Sequence, residues 1–129
     1  RGAIADYSKA IEINPNDADA YHNRGLAKHD LEDYRGAIAD YSKAIEINPN
    51  DAAAYYNRGI AKHDLKDYRE AIADYSKAIE INPNDTNAYY NRGIAKLILG
   101  QIDSGCLDLS KAGELGHFEV YDVIKYYCN

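Results

Sequence analysis

The chain has no methionine, no tryptophan, one phenylalanine and three prolines among its 129 residues. Its thirteen tyrosines are nearly the whole aromatic stock, so large apolar filling falls to Tyr and Ile, and the many small Ala residues suit helices that pack closely. No run of 18 apolar residues exists to span a bilayer as a helix, and no charged-then-apolar leader marks a secretory signal. Nor is there an excess of Lys and Arg. A formal net charge of -6 argues against a nucleic-acid partner, because that affinity comes from clustered cations neutralising phosphates. Phosphate loops, nucleophile elbows and deaminase signatures are missing as well. Cysteine is scarce: Cys106 and Cys128 have no CxxC spacing and read as two reduced, half-buried thiols, which favours a cytoplasmic location. A disulfide between them is the alternative.

What the chain does have is repetition. The stretch Ile13-Asn14-Pro15-Asn16-Asp17 returns at Ile47 to Asp51 and at Ile81 to Asp85, each time 34 residues on. Residues 1–17 are identical to residues 35–51, and residues 18–51 differ from residues 52–85 only at Asp19/Ala53, His22/Tyr56, Leu26/Ile60, Glu32/Lys66 and Gly36/Glu70. A third copy starts at Thr86, keeps the frame through Lys96 and then drifts. The chain opens at Arg1, inside a repeat and without Met, and so reads as a piece of a longer protein.

Each unit carries helical periodicity twice. Tyr55, Gly59 and Lys62 share one helical face, and Ala71, Tyr75 and Ala78 form a second stripe at spacings of three and four. Asp67 and Glu70 have the spacing of a capping box that starts the second helix. The recurring Asn-Pro stretch is a helix-to-helix corner: the residue before proline is biased out of the helical region, proline offers no amide donor, and the Asp that follows caps the next helix. After Gly100 the pattern changes. Gly116 is a candidate C-cap, and a last amphipathic helix from about Phe118 to Tyr127 places Val120, Val123, Ile124 and Tyr127 on one stripe.

A helix-turn-helix period of 34 residues resembles the tetratricopeptide repeat, and the family's pattern is legible in place. The early aromatic is Tyr21, Tyr55 and Tyr89; the glycine is Gly25, Gly59 and Gly93; the first alanine is Ala37 and Ala71; the later aromatic is Tyr41 and Tyr75; the second alanine is Ala44, Ala78 and Ala112; the proline is Pro15, Pro49 and Pro83. Two positions depart from it. Arg24, Arg58 and Arg92 replace the usual Leu, and Lys28, Lys62 and Lys96 replace the usual Tyr. Their stems are expected to pack while their heads snorkel to solvent, where Asp40, Asp74 and Asp108 recur as candidate partners; a ligand-binding role for the arginines is the alternative. At the helix crossing, Gly59 is expected against Ala71 and Ala78, with Tyr55 and Tyr75 filling the remaining space; a Leu in place of such an Ala would cost about 1–3 kcal/mol.

The resemblance implies an all-α, right-handed superhelical solenoid of antiparallel helix pairs. Residues 1–17 form a half repeat, 18–51 and 52–85 full repeats, 86–116 a divergent third and 117–129 a capping helix. The orphan half repeat leaves Ala3, Tyr7 and Ala10 without an upstream neighbour, from which self-association or helix exchange between chains is expected.

The resemblance also implies a scaffold whose first helices line a concave groove for a peptide or protein segment; the acidic balance favours a neutral or basic one, and since no triad of acid, base and nucleophile falls on one face, neither an enzyme nor a cofactor is expected. Its contact residues would be His22, Asn23, Leu26, His29 and Asp30, then Tyr56, Asn57, Ile60, His63 and Asp64, then Tyr90, Asn91 and Ile94. Asn23, Asn57 and Asn91, one per repeat, resemble an asparagine ladder that pairs with a peptide backbone; the alternative is that they bond neighbouring helices. Of the family's carboxylate clamp only Asn57 is present, since His22, Leu26, Asn87 and Asn91 occupy the other positions, so chaperone C-terminal tails are unexpected partners. No metal site is expected: His22 and His29 lie seven residues apart on one helix, about 10 Å along its axis. Ser8, Ser42 and Ser76 fall on the outer face, beside no base.

Overall fold

The computed structural model describes residues 2–128. These form eight α-helices and no strand: α1 Gly2–Ile13, α2 Ala18–Asp30, α3 Tyr34–Ile47, α4 Ala52–Asp64, α5 Tyr68–Ile81, α6 Thr86–Ile98, α7 Ile102–Glu114 and α8 Val120–Tyr127. Helices α2 with α3, α4 with α5, and α6 with α7 form the pairs, and each pair stacks on the next through α3 against α4 and α5 against α6.

The corners follow from their sequence. Asn48 and Asn82 leave the helical region before proline, with φ of -130° and -128°, and their side chains accept from Asn50 and Asn84 backbone amides at 3.4 and 3.3 Å. Asp17, Asp51 and Asp85 then accept from the amides of Ala20, Ala54 and Ala88 at 3.1, 3.2 and 3.1 Å, which satisfies donors the helix itself leaves open. The turn within each pair closes differently. Glu32 and Lys66 take φ of 63° and 65°, and the third copy has Gly100 at 83°, the left-handed close of a Schellman turn. Gly116 closes α7 the same way at 109°, as expected of a C-cap.

The capping box at Asp67 does not form, and the cause is one of the five differences between copies. Asp33 caps α3 by accepting from Gly36 N at 3.0 Å, and a Cβ on Gly36 would collide with the Asp33 carboxylate. In the next copy that position is Glu70, whose Cβ takes the space; Asp67 makes no side-chain cap bond, and Glu70 reaches Lys62 at 3.4 Å instead.

Ala37, Tyr41 and Ala44, like Ala71, Tyr75 and Ala78, are fully buried. The glycine's neighbour is the tyrosine rather than the alanines: a Cβ on Gly25 would lie 2.7 Å from Tyr41 Cε1, and one on Gly59 2.7 Å from Tyr75 Cε1. Tyr55 packs instead against the layer of Ala78, Ile79 and Ala88, between pairs. The third pair has repacked in concert. Leu109 replaces the tyrosine, Gly105 replaces the first alanine so closely that its Cβ would meet Gly93 O at 2.9 Å, and Leu97 leans into the space beside it.

Helix α8 starts at Val120, later than its sequence suggests. Val120 is buried and Val123 and Ile124 half-buried, but Tyr127 is mostly exposed. Tyr127 stands 34 residues after Gly93, so a ring occupies the position where a following second helix would need glycine. Cys106 and Cys128 are joined by a disulfide that ties the end of α8 to α7, so the expectation of two reduced thiols is wrong, and the argument for a cytoplasmic location falls with it. Their separation in sequence carried no information about the meeting of α7 and α8 in space.

At the other end α1 packs on α2. Ala3 is exposed and Tyr7 and Ala10 half-buried, whereas the same residues one repeat later, Ala37, Tyr41 and Ala44, are 0% exposed. No helix among the described residues is long and apolar enough to cross a membrane.

Candidate functional site

The first helices of the pairs, α2, α4 and α6, carry every cation that departs from the repeat pattern, and each is drawn away from solvent. Arg24 donates to Asp40 through Nε at 2.8 Å and Nη2 at 2.7 Å, while Nη1 reaches Ser8 Oγ at 3.1 Å. Lys28 adds a second cation on Asp40 at 3.1 Å. The cluster recurs as Ser42, Arg58, Lys62 and Asp74 and as Ser76, Arg92, Lys96 and Asp108. Asp40, Asp74 and Asp108 are 3%, 4% and 5% exposed, so these are buried, bidentate, charge-assisted pairs. Each guanidinium also lies about 5.6 Å over the Tyr one turn before it on its own helix. The outer-face serines, which seemed inert in sequence, are the third corner of each cluster; their spacing of 16 residues from the arginines was the available signal.

With those cations withdrawn, the exposed charges on α2 and α4 in the expected groove set are acidic, Asp30 and Asp64. Asp64 accepts from His29 Nε2 at 2.7 Å across the pairs. His29 also meets Tyr34 edge-on at 5.2 Å, and His63 meets Tyr68 edge-on at 5.0 Å. His63 sits where burial pulls its pKa below the ordinary histidine range, against the opposing pull of Asp64.

The asparagines join neighbouring first helices. Asn57 Nδ2 lies 3.0 Å from His22 Nε2, which puts the ring proton on Nδ1, facing the Asp51 carboxylate at 3.5 Å. Asn91 Nδ2 donates to the Tyr56 hydroxyl at 2.8 Å. Each carboxamide thus commits one donor to the preceding repeat, while its oxygen forms no hydrogen bond with a described residue. Asn23 is exposed, with no such helix before it. Tyr90 is stacked on His117 at 4.2 Å and 10°, a partner from the loop before α8 that the repeat frame did not supply. Leu26 is exposed, Ile60 half-buried, and Ile94 lines an apolar cavity of about 260 Å³ with Leu97, Ile98, Val123 and Tyr127. Among the described residues no group of three or more His, Cys, Asp or Glu is placed to hold a metal ion.

Stacked antiparallel pairs with glycine at each crossing and one helix of every pair on a shared face define a helical-repeat protein of the interaction type. Tetratricopeptide repeat profiles match residues 52–85 and 75–106, and a TPR repeat profile matches residues 1–32 and 27–66. The chain belongs to the tetratricopeptide repeat family.

Among solved structures it is similar to MamA, at 24% identity and a TM-score of 0.88, over 92% of this chain and 70% of that one. It is also similar to the first TPR of Spaghetti (RPAP3) bound to the HSP90 peptide SRMEEVD, at 26% identity and a TM-score of 0.82, over 86% of this chain and 90% of that one. The Arabidopsis OM64 TPR domain aligns at 25% identity and a TM-score of 0.80, over 84% of this chain and 91% of that one. No curated protein matches.

Proposed function

We propose that this array is a non-enzymatic scaffold that binds an extended, neutral or basic segment of another protein along the face formed by α2, α4 and α6. The observation that carries the reading is the withdrawal of Arg24, Lys28, Arg58, Lys62, Arg92 and Lys96 into buried clusters on Asp40, Asp74 and Asp108. It leaves a face of amides, rings, aliphatics and carboxylates. The unbonded oxygens of Asn57 and Asn91 are acceptors for backbone amides of such a segment, and Asn23, Tyr56, Ile60 and His63 lie in the same series. The RPAP3 repeat domain was solved with an acidic chaperone peptide. Here His22, Leu26, Asn87 and Asn91 stand at the clamp positions, and the Arg and Lys of the first helices are paired with Asp40, Asp74 and Asp108, so acidic chaperone tails are poor partners. Peptides selected from a random display library against the wild-type chain are expected to lose binding to Ile60→Arg and keep it with Lys43→Ala, which lies on a second helix. If no selected peptide discriminates between the two variants, the groove reading is wrong.

A second reading rests on α1. Its Ala3, Tyr7 and Ala10 retain exposure that their copies lose entirely in later repeats. Asp6, the copy of Asp40, forms no ion pair with a described residue, where Asp40 holds an arginine and a lysine. Self-association through this face is the corresponding proposal.

A further inference from the structure

The edge of the proposed groove changes character along the array. At the ends of the first helices, the copies of one position are Asp30, Asp64 and Ile98, and those of the position before it are His29, His63 and Leu97. Two repeats present a histidine and a carboxylate; the third presents two aliphatics. The change coincides with the arrival of α8. Val123 and Tyr127 from that helix close with Ile94, Leu97 and Ile98 around the cavity of about 260 Å³, and the Cys106–Cys128 disulfide fixes the residue next to Tyr127. Leu97 is in turn set by packing against Gly105, so the cavity wall is built into the third pair.

We infer that this cavity is the anchor site for a bulky apolar side chain of a bound segment whose neighbouring residues are basic, selected by the Asp30–Asp64 edge. The inference rests on the groove reading above and adds an order to it. Neighbouring packed helices lie about 8–10 Å apart, and an extended chain advances about 3.3 Å per residue, so one repeat corresponds to about three residues of ligand. The sequence that fits is Lys-x-x-Lys-x-x-Leu, or its reverse if the segment runs the other way. The two lysines face Asp30 and Asp64, and the leucine enters the cavity at Ile98. Charge complementarity selects the basic partner. No Lys or Arg of its own helices competes for the carboxylate edge, because Lys28 and Lys62 are bound to Asp40 and Asp74; Asp64 accepts from His29 Nε2 at 2.7 Å through one oxygen and keeps the other for the lysine of the ligand.

Twelve-residue peptides carrying this pattern in both directions, with Leu→Ala, Lys→Gln and third-Lys variants, provide the test by fluorescence polarisation on the intact oxidised chain. Replacing the anchor Leu by Ala should weaken binding about tenfold or more, the loss expected when a buried leucine side chain is removed. Replacing both lysines should weaken it by a similar factor and remove most of its salt dependence. The decisive variant is Leu97→His with Ile98→Asp, which gives the third repeat the His-Asp ending of the other two. It should exchange the preference, so that Lys-x-x-Lys-x-x-Lys binds better than the leucine peptide. A second variant, Cys106→Ser with Cys128→Ser, should weaken the leucine peptide more than the trilysine one. The inference is overturned if groove-dependent peptides bind the wild-type chain with equal affinity for Leu and Ala, or if the His-Asp variant keeps the leucine preference. If no peptide binds and the display selection also finds no groove-dependent ligand, the groove reading has failed as well.

Discussion

At the residue scale the decisive groups are the three buried aspartates. Asp74 receives two bonds from Arg58 at 2.7 and 2.9 Å and a lysine at 3.0 Å, nearly out of contact with water. Removing the carboxylate leaves Arg58 without an anion and Lys62 with only the exposed Glu70 at 3.4 Å, so Asp74→Ala is expected to destabilise the chain by about 3–5 kcal/mol in urea titration. Asp6→Ala, the same change where the cations are absent, should stay within about 0.5 kcal/mol. The charged members of this cluster were readable in advance, because Arg and Lys recur where the family has Leu and Tyr, and Asp40, Asp74 and Asp108 recur at one position. Its depth was not. A repeat frame shows which residues share a position, but whether an arginine snorkels or folds inward depends on the tyrosine beneath it and the serine behind it. The two asparagine bonds were beyond reach for a similar reason, since they depend on the ring that the previous repeat brings to within 3 Å.

At the element scale the helices were legible because their boundaries rest on local chemistry. Aspartate caps, pre-proline asparagines and a terminal glycine each act within a few residues, so sequence alone could place them. The failures came where one side chain displaced another. Asp67 has the spacing for a cap and does not form one, because Glu70 stands where the first copy has Gly36. The turns offer a prediction of the opposite sign. Lys66 holds a left-handed conformation that costs a side-chain residue about 1 kcal/mol, and the third copy already uses Gly100 there. Lys66→Gly is therefore expected to raise the stability of the chain by about 0.5–1 kcal/mol, measured by urea titration against the wild type. A loss would show that the stem of Lys66 contributes packing that exceeds its backbone strain.

For the whole molecule, repetition made the fold plain and left both ends to be worked out. The disulfide was the main loss. Cys128 follows the end of α8, where the repeat pattern has drifted, and nothing in residues 1–100 foretells how it meets α7. The N-terminal face carries the corresponding prediction. Fusing a copy of residues 18–34 ahead of Arg1 supplies the Arg, Gly and Lys that Asp6 and Tyr7 lack, and should abolish any concentration-dependent association in sedimentation. Association that persists in the fused chain would place the contact elsewhere.

The reach of each arginine has a further consequence. A guanidinium on one pair grips an aspartate within that pair and a serine on the helix before it, so the seam between neighbours is crossed by the same group that holds each hairpin shut. Opening any single hairpin must also loosen the one upstream. Such an array should release its amide protons to exchange in one concerted step along α2 to α7, and not fray pair by pair from the tip.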